Sequence, residues 1–156
     1  MTKEEEQLEI LIYKVSASVK KYAAVHKHLA KQTGTGFWGF YKKIDFTAIF
    51  SVSGSLFREI ILKLNEVREF KDNSYKTLSN KDRIICDTLE EFTVSMLETT
   101  KSLLKLTYDL SETSKGKSGK KKLTLEENKE NFLLYEKARA EQMKIGGKLN
   151  KLYGKI

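Results

Sequence analysis

No proline occurs anywhere in the 156 residues, and this absence constrains the fold more than any motif does. Proline starts helices, ends strands and shapes tight turns, so a chain with many turns or edge strands would ordinarily use several. A few long helices fit a chain that does without it. Apolar residues recur at the matching three- and four-residue spacing in four stretches. In the first, Leu8, Leu11, Ile12, Val15, Val19, Tyr22, Val25 and Leu29 form one stripe, which predicts a helix over about residues 3–31. The second, over about 45–70, opens on Asp45 as an N-cap and carries Phe46, Ile49, Phe50, Leu56, Phe57, Ile60, Ile61, Leu64 and Val67, with the turn-like Asp72, Asn73 and Ser74 beyond it.

The third, over about 80–111, starts from Ser79 with Asp82 three residues on, a capping box with a shortened carboxylate. Its stripe of Ile85, Leu89, Phe92, Met96, Leu103, Leu106 and Leu110 is close to a heptad repeat. The fourth, over about 124–153, begins with the box Thr124-Leu125-Glu126-Glu127. Leu125, Phe132, Tyr135, Ala138, Ile145, Leu149 and Leu152 make its core side, and Gly146-Gly147 lowers propensity while permitting close approach or a break.

Such helices are each about 40 Å long and are stable only when their stripes meet. The short intervals between them suit antiparallel neighbours. The reading is therefore one all-α domain over 1–156, an up-down-up-down antiparallel four-helix bundle. A three-helix bundle with a detached fourth helix is the alternative. Helix 2 departs from the pattern, because residues 46–57 carry no charge on any face. That predicts either a central helix buried on several sides, with Ser51, Ser53, Gly54 and Ser55 admitting neighbours, or a self-association surface through Ile49, Val52 and Leu56.

Charge is distributed unevenly. Between Ile10 and Ile44 there are seven lysines (Lys14, Lys20, Lys21, Lys27, Lys31, Lys42 and Lys43) and no acid; between Thr113 and Leu123 there are five (Lys115, Lys117, Lys120, Lys121 and Lys122), again with no acid. These two segments hold 12 of 29 basic residues, leaving 17 basic against 21 acidic residues elsewhere, so they carry all of the net +8. In an up-down-up-down bundle the helix 1–2 and helix 3–4 connections share an end. That end gathers Lys27, Lys31, Phe37, Trp38, Phe40, Tyr41, Lys42 and Lys43 with the second lysine cluster.

A basic, aromatic end favours anionic partners. Lysines raise the local potential, and Trp and Tyr suit the headgroup layer of an anionic leaflet. Against nucleic acid the same lysines would release counterions and the aromatics would stack on bases. An acidic protein or membrane surface ranks ahead of nucleic acid, because arginine, the better reader of bases, is sparse (Arg58, Arg68, Arg83, Arg139). Plainer readings stand beside these: the Lys/Gly/Ser stretch as a solvated linker, the aromatic cluster as a plug over the core, and the helix 1 lysines as its wet face.

Catalytic and metal chemistry find little to use. A di-metal bundle needs Glu-x-x-His pairs, whereas His26 and His28 stand two apart with no acid three residues before either, and read as surface or loop-edge residues. The Gly34-Thr35-Gly36-Phe37-Trp38-Gly39 run follows a helix rather than a strand, and Lys115-Gly116-Lys117-Ser118 lacks the earlier glycine of a phosphate-binding loop. Cys86 reads as a buried structural thiol. With 40% hydrophobic and 32% charged residues the chain is neither a disordered polymer nor a polytopic membrane protein. Met1 to Glu6 is acidic and no secretory pattern follows it, while the longest uncharged run, 46–57, is too short to span a bilayer. The expectation is a cytoplasmic, non-enzymatic interaction protein with no cofactor and no small-molecule substrate.

Overall fold

The computed structural model describes residues 1–33, 46–114 and 125–154. Within them are α1 (Lys3–Thr33), α2 (Phe46–Ser74), a 3-10 turn (Tyr75–Thr77), α3 (Asn80–Ser114) and α4 (Leu125–Tyr153), and no strand. The expected helices are all present.

Side-chain pairs between helices fix the direction of each. Lys14 meets Glu66 and Lys21 meets Glu59, each at 3.0 Å, so α2 descends as α1 rises. Arg68 pairs with Glu90 while Thr47 meets Ser111, which sets α3 antiparallel to α2. Asn131 donates to Asp109 and Lys148 lies by Glu91, which sets α4 antiparallel to α3. The topology is up-down-up-down.

Helix starts follow the capping chemistry. Thr2 and Glu5 form a reciprocal box: the Glu5 N–H donates to Thr2 Oγ1 (3.1 Å) and the Thr2 N–H to Glu5 Oε2 (2.8 Å). At α3 the Asp82 N–H donates to Ser79 Oγ, and the Ser79 hydroxyl bonds the Asp82 carboxylate, a local closure in place of the usual return to the cap's backbone. The caps expected at Asp45 and Thr124 lie outside the described residues.

Helix 2 ends four residues later than its turn-like tail predicts. Lys71, in its last turn, reaches both Asp87 (2.9 Å) and Glu90 (2.6 Å) on α3 and sits over the Tyr75 ring. Arg83 donates to the Tyr75 and Lys76 carbonyls. Carbonyls and charges at this corner are thereby satisfied, and Asp72-Asn73-Ser74 stays helical.

The centre of the bundle is α3, not α2. It packs closely on both α2 and α4 and also touches α1. Leu89, Leu103 and Leu106 are fully buried on it, together with Thr93, Thr99, Thr100 and Thr107. Each of these threonines donates its hydroxyl to a carbonyl one turn back. Buried hydroxyls are thus satisfied within the helix, and their small size lets neighbours come close. Gly146 does the same for α4: a Cβ there would lie 3.0 Å from the Phe92 ring, yet the helix runs unbroken through Gly146-Gly147. In α2, Ser53 is buried, but Ser51, Val52 and Ser55 face solvent, so its uncharged half has a wet side made of small residues.

Candidate anionic-partner interface

Four helix ends bound the candidate interface: the C-terminal ends of α1 and α3 and the N-terminal ends of α2 and α4. Their convergence follows from contacts near each. Thr47 Oγ1 lies 3.0 Å from Ser111 Oγ, the Phe50 and Tyr108 rings are 5.4 Å apart, and Asn131 Nδ2 donates to Asp109 at 2.9 Å. On the α1 side, Tyr22 and His26 both reach Tyr135 of α4. The helix ends that flank residues 34–45 and 115–124 in the sequence therefore lie at the same end of the bundle.

Of the residues expected to bind, Lys27 is exposed on α1 near that end. Lys31 belongs to the last turn of α1, but its side chain lies outside the described set. So do Phe37, Trp38, Phe40, Tyr41, Lys42 and Lys43, and Lys115, Lys117, Lys120, Lys121 and Lys122. Two lysines of the basic run are engaged elsewhere. Lys14 and Lys21 pair along the flank with Glu66 and Glu59 of α2, a use that the run of one chain segment does not disclose. Lys14 holds the Glu66 carboxyl below its usual range; at Glu59 burial pushes upward, but Lys21 and Ser18 outweigh it.

Burial divides the three residues expected to self-associate. Ile49 and Leu56 are 5% and 3% exposed and belong to the core, whereas Val52 is 52% exposed. Ile49, Ser53, Leu56 and Ile60 make the buried stripe, and Val52, a single turn from both Ile49 and Leu56, lies on its solvent-exposed flank.

A polar layer also lies near this end, where sequence reasoning expected only a surface histidine. Tyr135 is fully buried; its hydroxyl is 2.7 Å from that of Tyr22 and 2.6 Å from His26 Nδ1. His26 is half-buried rather than on the surface. Burial first, and then the Arg139 guanidinium, lower its pKa; burial raises both tyrosines. The signal was present in the sequence: His26 follows Tyr22 by one turn and precedes Leu29 by three residues, on the continuation of the buried stripe.

Elsewhere, Cys86 is fully buried and its thiol is pushed up to about 11, by burial and then by Asp87. Among the described residues no group of three or more His, Cys, Asp or Glu side chains is placed to hold a metal ion, and no helix is long and apolar enough to cross a membrane. Comparison with protein-family models, with curated proteins and with solved structures finds no match.

Proposed function

We propose that this chain is a non-enzymatic interaction module that docks end-on against an anionic protein or membrane surface. The observation that supports the reading is the convergence, at one end of the bundle, of the four helix ends that flank, in the sequence, the lysine clusters and the aromatic run. Clustered charge matters more than net charge for such capture, because exposed charges farther apart than a Debye length of about 8 Å act nearly independently at physiological salt. Pairing of Lys14 and Lys21 along the flank concentrates the remaining surplus further toward that end. A cytoplasmic setting suits the single buried cysteine.

Co-sedimentation with phosphatidylcholine vesicles, with and without phosphatidylserine, tests the reading. Binding is expected only with the anionic lipid, falling with salt and with replacement of Trp38 by alanine or of Lys120, Lys121 and Lys122 by serine. Binding that ignores both substitutions contradicts it. Preferential, steeply salt-dependent binding to a labelled oligonucleotide would favour the nucleic-acid alternative.

We infer separately that self-association through α2 would use Val52, with Ser51 and Ser55, since these are exposed residues of its uncharged half.

A further inference from the structure

The layer of Tyr22, His26 and Tyr135 carries an inference independent of what the basic end binds. Among the described residues α1 packs its backbone against α2 and, less closely, α3, while it reaches α4 through side chains such as these. The C-terminal half of α1 is also the less apolar half of its buried stripe: Ser18, Tyr22 and His26 occupy successive turns before Leu29.

With His26 neutral, its unprotonated Nδ1 accepts from the Tyr135 hydroxyl, which spends its one proton there and accepts from Tyr22 in turn. Protonating Nδ1 turns that bond round: His26 then donates to Tyr135, whose own proton must be redirected, and a cation is placed in a half-buried site that the Arg139 guanidinium already acts on.

We propose that this layer is a proton-sensitive latch, which holds the last turns of α1 (residues 18–33) against α4 when His26 is neutral and releases them when it is protonated. The charged groups acting on His26 among the described residues are Arg139 and Glu136, both on α4; Glu136 opposes the shift and is itself 3.8 Å from Arg139. A group that is harder to protonate in the closed state favours closure above its free pKa of about 6.5 and loses that contribution as pH falls below it.

Hydrogen exchange on the full chain tests the latch. After correction for intrinsic rates, protection over residues 18–29 is expected to fall by up to tenfold per pH unit below about 6.5, while residues 85–106 of α3 keep theirs. In His26→Gln, whose amide oxygen still accepts from Tyr135 but takes up no proton, protection over 18–29 is expected to be independent of pH in that window. Equal pH dependence in wild type and His26→Gln, or none in wild type, overturns the proposal. Should the variant fold poorly, the His26 titration followed by NMR in the wild-type protein decides the matter: a pKa at or above that of free histidine overturns it.

Discussion

Gly146 and Gly147 stand side by side in α4 and meet different surroundings. A Cβ at Gly147 finds nothing within 4 Å, so the glycine there only lowers helix propensity. Gly147→Ala is expected to raise stability by about 1 kcal/mol, read as a higher thermal midpoint. At Gly146 the same change presses on the Phe92 ring, and the gain is expected to shrink or reverse. Cys86 makes a second test at this scale. With its side chain sealed in the core and its thiol held up near 11, alkylation of the native protein is expected to proceed only as fast as the bundle opens. Rapid labelling without unfolding would contradict its placement. The sequence pair Gly-Gly showed that close approach or a break was at stake; which glycine meets a neighbour depends on Phe92, more than fifty residues away. The spacing of His26 from Tyr22 and Leu29 places it beside the buried stripe, but which group meets it depends on Tyr135, 109 residues further along the chain.

Helix 2 shows what periodicity can and cannot resolve within an element. Its stripe of Phe46, Ile49, Leu56, Ile60, Leu64 and Val67 is buried as the spacing predicts. The uncharged opposite side gave no clue to its surroundings, because serine and valine are tolerated both in a core and in water. Substitution separates the two sides. Ile49→Lys buries an uncompensated charge and is expected to unfold the bundle at the cost of several kcal/mol. Val52→Lys is expected to leave the circular dichroism melt within about 0.5 kcal/mol of wild type and, if α2 self-associates, to abolish a dimer in sedimentation. The helix boundaries were legible to within a turn, apart from the end of α2, where Lys71, Asp87 and Glu90 from two elements jointly extend the helix.

For the molecule as a whole, the order of the helices and their alternating direction were legible from four stripes and short intervals. The central place of α3 was not, since it depends on small buried threonines that bond back to their own helix. Acid is expected to act on the bundle in two steps. His26 is held below its usual range, so its contribution to the α1–α4 seam begins to fail as pH drops below about 6.5. Glu66 and Glu90, held down chiefly by Lys14 and Lys71, contribute stability above the ordinary carboxylate pKa of about 4.5 and lose it as pH falls through their lower folded values. Far-UV dichroism is expected to report the second step, and exchange over α1 the first. Docking by one end predicts different outcomes when equal charge is removed from opposite ends of the bundle and affinity for phosphatidylserine vesicles is measured. At about 1 kcal/mol per lysine beside an anionic leaflet, replacing Lys120 and Lys121 by serine is expected to weaken binding by roughly tenfold or more. Replacing Lys76 and Lys81, exposed at the other end, is expected to leave binding nearly unchanged. An equal loss from both pairs would mean that net charge, and not an end of the bundle, makes the interaction.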